Sequence, residues 1–310
     1  LNNRDRLKGM MVGLAVGDAL GAPVEFMEPG SFEPVSGYRS GGPHGLLPGY
    51  WTDDTSMALC SAVSLHECGE FNPADQIDRF LRWFRKGYLS STGRCFDIGR
   101  RTLEALVRYE RTGEVYAGEE SYDSAGNGAL MRLAPVIIYA LQHAQDPQTL
   151  AREHGRLTHA DPRCIESNAV FARLLSVVLE GVDKSRLLER LASWSSEISD
   201  VEVAQVVAGS YRDKVPPAIR ASGYVVASLE AALWAFYRSD NFAEGALMAV
   251  NLGHDSDTIG AIFGQLAGAF YGIEAIPTEW RDGLYQYDAI VELTDAIIDG
   301  VTIDLPPGWK

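Results

Sequence analysis

Residues 9–21 read GMMVGLAVGDALG, and residues 260–272 read GAIFGQLAGAFYG. Glycine returns at every fourth position in both: Gly9, Gly13, Gly17 and Gly21 in the first, and Gly260, Gly264, Gly268 and Gly272 in the second. A glycine inside a helix costs about 1 kcal/mol relative to alanine, so helices carrying such ladders need a compensating gain. Four-residue spacing stacks the glycines on one helix face, and a face without side chains lets two backbones approach closely. The two segments are therefore expected to form central helices packed tightly against each other. Membrane dimerisation uses the same pattern, but it needs about 18 uninterrupted apolar residues. Asp18 and Gln265 interrupt the two best candidates.

Working outward from the ladders, a helical period of apolar residues recurs over Ile98–Glu110, Pro147–His154, Ile165–Glu180, Val225–Tyr237 and Tyr287–Ile298. In Ile165–Glu180, for example, Ala169, Val170, Leu174, Val177 and Val178 share one stripe. Period-2 strand patterns are nearly absent. Gly and Pro gather in 28–50, 90–94, 111–128, 209–223 and 252–257, and 28–50 is long enough to be a binding loop or lid. No composition break divides the chain, so residues 1–310 are read as one large all-α domain, a multi-helix orthogonal bundle. The chain is 46% hydrophobic and 22% charged, which supports a sizeable core and excludes global disorder. With 27 basic and 42 acidic residues, its net charge of −15 disfavours nucleic acid as a partner. Cys60, Cys68, Cys95 and Cys164 form no C-x-x-C pair, so reduced thiols in the cytoplasm are expected rather than disulfides or a zinc site. No secretory leader is legible, and a monomer is expected.

Two oxygen-rich clusters stand just before apolar helical runs. WTDDTSMALC (51–60) offers Thr52, Asp53, Asp54 and Thr55; NLGHDSDTIGAI (251–262) offers Asp255, Asp257 and Thr258. Singly, each reads as a helix cap set against the positive end of the helix dipole. A cap needs one side chain, however, and crowded carboxylates repel unless protonated or bridged by cations. Oxygen-only donors suit Mg²⁺ or Mn²⁺, and two converging clusters would accommodate two divalent cations. Glu25, just past the first ladder, is either a further carboxylate for that cluster, an acid/base, or a salt-bridge partner.

The strings GLAVGDALGAPVEF, WTDDTSMALC, STGRCFDIG, GNGALMRLAP, LTHADPRC and LGHDSDTIGAIFGQLAGAFYG, taken in order, resemble the ADP-ribosylglycohydrolase family. The resemblance implies an all-α fold with a central metal-containing cleft and removal of ADP-ribose from modified side chains. It implies Thr52, Asp53, Asp54, Asp255, Asp257 and Thr258 as ligands of two divalent cations (Mg²⁺ or Mn²⁺). Glu25 matches the family glutamate near the metals and the reactive ribose. Asp97, in the FDIG string, is similar to the aspartate beside the scissile bond in the arginine-specific, dinitrogenase-reductase-activating branch. ADP-ribosylated arginine on a protein is therefore the expected substrate, with Glu25 and Asp97 as catalytic residues. Serine-linked or other ADP-ribose conjugates, and a non-catalytic crystallin-like relative, are the alternatives. Gly126, Asn127, Gly128 and Met131 match the family's loop along ribose and diphosphate, and a Gly-rich turn opening a helix presents N–H groups to phosphate. His159 resembles a histidine near the cleft. Tyr224 looks like the aromatic that stacks on adenine, with Tyr211 as the competing candidate.

Overall fold

The computed structural model describes residues 2–309. Among them are fourteen α-helices, no extended sheet and a few short 3₁₀ turns. In chain order the helices are α1 (Asn3–Gly21), α2 (Asp53–Cys68), α3 (Pro73–Lys86), α4 (Arg100–Thr112), α5 (Ala134–Gln142), α6 (Pro147–Arg156), α7 (Pro162–Val178), α8 (Lys184–Ser193), α9 (Val201–Ala208), α10 (Val225–Arg238), α11 (Phe242–Val250), α12 (Ser256–Tyr271), α13 (Thr278–Gly283) and α14 (Tyr287–Asp299).

The glycine ladders form α1 and α12, which pack antiparallel at the centre of the core. Their glycines oppose one another: Gly9 faces Gly268, Gly13 faces Gly264, and Gly17 faces Gly260. A methyl group built on Gly13 would stand 2.1 Å from the Gly264 carbonyl oxygen, and one on Gly264 would stand 1.9 Å from that of Gly13. The helices therefore touch backbone to backbone along three turns, and the dispersion attraction of this close packing offsets the poor helix propensity of glycine. The antiparallel register brings the C-terminus of α1 to the N-terminus of α12. There Gly21 meets the Asp257 backbone, and the Ser256 hydroxyl donates to the Gly21 carbonyl at 2.9 Å. By length and composition Asn3–Val24 is apolar enough to cross a membrane despite Asp18, yet 94% of its apolar stretch is buried inside the protein.

The periodic stretches coincide with α4, α6, α7, α10 and α14 to within three residues, and capping explains the larger shifts; α3, α5, α8, α9, α11 and α13 lie outside those stretches. The helix expected from Ile165 starts at Pro162, because Asp161 accepts from the Arg163 N–H at 2.9 Å and Pro162 suits the first turn. The helix expected from Ile98 starts at Arg100, since Asp97 has a left-handed backbone (φ 58°) and Gly99 precedes the first turn.

Propensity and packing make opposite predictions for Gly13→Ala. Propensity alone gives a gain of about 1 kcal/mol. The backbone contact gives a loss of about 1–3 kcal/mol from overpacking. Urea unfolding of the variant is expected to show the loss.

Candidate active site

The floor of the site is built where α1, α2 and α12 meet. Asp53 and Asp54 open α2, and Asp255 precedes α12 while Asp257 lies in its first turn. Neither cluster caps its own helix: Thr52 and Asp255, at the two N-cap positions, make no side-chain capping bond. The start of α2 is capped by Asp18 of α1. Its carboxylate accepts from the N–H groups of Thr52 (2.9 Å) and Thr55 (3.0 Å) and from the Thr55 hydroxyl (2.6 Å). Asp53 and Asp54 are thereby left free for another task. Thr52 Oγ1 lies 2.9 Å from Asp18 Oδ1 and 3.0 Å from the Oδ2 atoms of both Asp54 and Asp257, so three carboxyl groups converge on a hydroxyl with one proton to donate. Thr258 Oγ1 lies 3.5 Å from Asp54 Oδ2.

The two sequence clusters, some two hundred residues apart, thus share one hydroxyl. Ligand-type oxygens of Asp18, Asp54 and Asp257 lie within 4.8 Å of one another, as do those of Glu25, Asp255 and Asp257, and those of Asp53, Asp97 and Asp257. Burial first, and then mutual repulsion, hold Asp53, Asp54 and Asp257 well above the usual carboxylate range. Asp54 Oδ1 and Asp257 Oδ1 are buried with no hydrogen-bond partner among the described residues. Orphaned buried carboxylate oxygens are costly unless a cation meets them. An oxygen-only donor set with such orphans fits hard divalent cations. Behind the cluster, Arg132 is completely buried. It donates to the Gly128 carbonyl and the Thr158 hydroxyl, both at 2.7 Å, and lies over the Phe80 ring. Burial pushes its pKa down to about 9, against the opposing pull of Asp53.

Above this floor opens a cleft of about 1610 Å³. Glu25, Asp53, Asp97, Asp255 and Thr258 line it, and Thr52, Asp54 and Asp257 lie buried beneath. Gly126, Asn127, Gly128, Met131, His159 and Tyr224 form another part of its wall. Asn127 Nδ2 donates to Asp255 Oδ2 at 2.6 Å, tying this loop to the acid cluster. The glycines are required by His159: a methyl on Gly128 would stand 2.7 Å from His159 Cε1, and one on Gly126 would stand 3.0 Å from Nε2. Tyr224 lies partly exposed at the cleft, where the Arg163 guanidinium sits between its ring and that of Tyr122. Tyr211, the competing candidate, is fully buried and does not line the cleft.

Three non-glycine residues at the site have left-handed backbones: Phe26 (φ 60°), Asp97 (φ 58°) and His254 (φ 51°). Such conformations are strained and persist where the surroundings enforce them. For Phe26 and His254 a pair of backbone bonds does so: Phe26 N–H donates to the His254 carbonyl (2.7 Å) and His254 N–H to that of Met27 (2.8 Å). Glu25 and Asp255, the adjacent residues, are held at a set separation by this clasp. Glu25 in turn meets His44 of the 28–50 loop, with Oε2 and Nε2 2.7 Å apart, and Asp97 Oδ1 lies 3.5 Å from the same nitrogen. Burial lowers the His44 pKa, but its bonds to Asp97 and Glu25 outweigh this and raise it to about 10.

Sequence reasoning passes over Asp18, Arg132 and His44. Asp18, in GLAVGDALGAPVEF, reads as an interruption of an apolar helix. Arg132 sits in GNGALMRLAP without any pattern that betrays its burial, and His44 lies in a Gly/Pro-rich stretch without periodicity.

A family model described as ADP-ribosylglycohydrolase matches residues 1–304. An ADP-ribosylarginine hydrolase Tri1 of Serratia proteamaculans (strain 568) is 38% identical over 295 residues, covering 94% of this chain and 79% of that protein. An ADP-ribosyl-[dinitrogen reductase] glycohydrolase of Rhodospirillum rubrum is 32% identical, covering 90% of each chain. A solved structure described as an ADP-ribosylglycohydrolase-related protein complex superposes with a TM-score of 0.86 at 44% identity, covering 96% of this chain and 98% of its own.

Burial, with Arg132 and Arg101 nearby, pushes His159 from 6.5 down to about 3. The folded chain keeps it neutral while the unfolded chain protonates it, so stability is lost as pH falls from about 6.5 toward 3. Lowering the pH to about 5 is expected to cost about 2 kcal/mol through this group. His159→Gln should lose that share of acid sensitivity, read as the difference between its urea midpoints at neutral pH and at about pH 5. A variant as acid-sensitive as the parent would refute the assignment.

Proposed function

The chain belongs to the ADP-ribosylglycohydrolase family, and on that premise we propose that it hydrolyses the N-glycosidic bond between ADP-ribose and an arginine side chain of a protein, reversing mono-ADP-ribosylation. The observation that carries this reading is the pair Glu25 and Asp97 at the cleft, two carboxyl groups flanking the His44 imidazole. A slot between two acids, already filled by a nitrogen donor and set beside the acid-rich floor, suits a guanidinium leaving group on a sugar. The names of the relatives at 38% and 32% identity support the same linkage.

The floor would hold two divalent cations, Mg²⁺ or Mn²⁺, on Thr52, Asp53, Asp54, Asp255, Asp257 and Thr258. When bound, they would supply positive charge to the ribose hydroxyls and to the attacking water. The chain's own residues supply the rest. Asn127 holds Asp255 in place, and the backbone clasp sets Glu25 beside it. Water adds across the C1–N bond: its oxygen joins ribose C1, and the guanidine nitrogen leaves with the bonding pair. One proton departs from the water and the guanidine nitrogen takes one back, and the Glu25–Asp97 pair is placed to carry that transfer. The Gly126–Gly128 loop and Met131 run along ribose and diphosphate, His159 supports that loop from below, and Tyr224 offers its face to adenine. The proposed setting is cytoplasmic, with an ADP-ribosylated protein as partner and a monomeric enzyme. Cys60, Cys68, Cys95 and Cys164 are all free thiols, in keeping with it.

A panel of arginine-, serine- and nucleotide-linked ADP-ribose, each with and without EDTA, tests the linkage and the cation requirement together. Release from the arginine conjugate, lost in EDTA, is expected; release from the serine conjugate alone would overturn the reading. Asp54→Asn is expected to lower kcat/KM by about 10²-fold or more. Saturating Mg²⁺ should also stabilise the wild type by about 2–3 kcal/mol at a hundredfold excess over Kd. Asp54→Asn should lose most of that gain in thermal unfolding.

A further inference from the structure

His44 stands at the tip of a short turn closed by a reciprocal pair, Gly41 N–H to the Leu46 carbonyl at 2.9 Å and Leu46 N–H to the Gly41 carbonyl at 3.0 Å. Gly41, Gly42 and Gly45 all have left-handed backbones, which makes the turn compact, and it is held in place by Gly42 against the Pro23 backbone and by the buried Leu46 side chain. The rest of the 28–50 loop is tied down. Val35 N–H donates to Asn251 Oδ1 at 2.7 Å, the Tyr38 hydroxyl donates to the Trp280 carbonyl at 2.9 Å, and Gly49 lies against the Gly283 backbone. Contacts along the whole of 28–50 thus leave the His44 side chain, rather than a backbone lid, as the group that can leave the cleft. The His44 side chain, 15% exposed, enters a slot with acids on two sides and aromatic rings on two others. Phe96 tilts over it at 5.0 Å, and Phe26 meets it edge-on at 6.2 Å.

We propose that His44 is a resident substitute for the substrate's guanidinium: it fills the slot between Glu25 and Asp97, must be displaced for substrate to bind, and so restricts the site to cationic leaving groups. The inference rests on the arginine reading above. Its physical basis is the cost of leaving Glu25, which is buried, and Asp97 without a donor between them. A leaving group that evicts the imidazole has to replace both its charge and its N–H donor. A guanidinium does so with a planar fork of five N–H groups, and its faces suit the Phe26 and Phe96 rings. A hydroxyl leaving group brings neither charge nor fork, so His44 returns to the slot ahead of it. His44 therefore acts as a specificity determinant, with no part in bond cleavage.

The test is agmatine binding by isothermal titration calorimetry, with Mg²⁺ and ADP-ribose present, in the wild type, His44→Ala and His44→Arg. If the slot is free in about a tenth of molecules, removing the occupant should lower the agmatine Kd about tenfold. His44→Arg, which installs a permanent cation, should raise it. Opposite shifts in the two variants exclude general misfolding as the cause. In kinetics on arginine-linked ADP-ribose, His44→Ala should lower KM by about the same factor, with a smaller change in kcat. Unchanged agmatine affinity in His44→Ala, absent binding in all three proteins, or a fall in kcat at constant KM overturns the proposal. So does loss of a tightly bound Mn²⁺ in His44→Ala, which would assign the triad to a metal ion. Calorimetry needs no turnover, so it tests His44 separately. Failure of the wild type to cleave the arginine conjugate counts against the proposed activity instead.

Discussion

The contact between the glycine faces of α1 and α12 governs the rest of the molecule. It is a contact between backbones, so no side chain can relax to rescue a substitution, and it sets helix separation and register together. Register matters most. Sliding α12 by one ladder step would move Asp257 a full helical turn away from Gly21 and take Asp255 away from Asn127. The close approach, which looks like a packing device, is therefore also what aligns the carboxylates.

Asp18 shows how the core and the site are joined. It belongs to a central helix, is completely buried, and caps a different helix, α2. Because that capping is done from α1, Asp53 and Asp54 at the start of α2 need not turn back on their own backbone. The free acids accumulate negative charge in a buried place, offset within the protein by Arg132 from below and His44 from the cleft side. Arg132 also holds the Gly128 carbonyl and, through Thr158, the ring of His159, so the charge balance of the floor and the shape of the adjoining wall depend on one side chain.

Much of this was legible in the sequence. The ladders gave the central helix pair, apolar periodicity gave five further helices (α4, α6, α7, α10 and α14), and the strings WTDDTSMALC and NLGHDSDTIGAI gave the acids. Local pattern could not show that the two strings meet, since that depends on the register of a contact between residues roughly two hundred and fifty apart. Resemblance to the family supplied the expectation, and the shared Thr52 hydroxyl shows the convergence. Asp18, Arg132 and His44 escaped notice for one reason. A lone charged residue in an apolar helix, or in a glycine-rich turn, has the same local signature whether it faces solvent or closes a network.

The clasp between Phe26 and His254 is made of main-chain atoms alone, so it sets the separation of Glu25 and Asp255 whatever side chains the two clasp residues carry. Phe26 meanwhile projects its ring into solvent at the mouth of the cleft, 67% exposed. The same ring stands edge-on to His44, so a change at this position would reshape the slot wall and the rim while leaving the main-chain spacing of Glu25 and Asp255 intact. Client choice and leaving-group recognition are therefore tied to one aromatic side chain, while the spacing of the acids is written in the backbone.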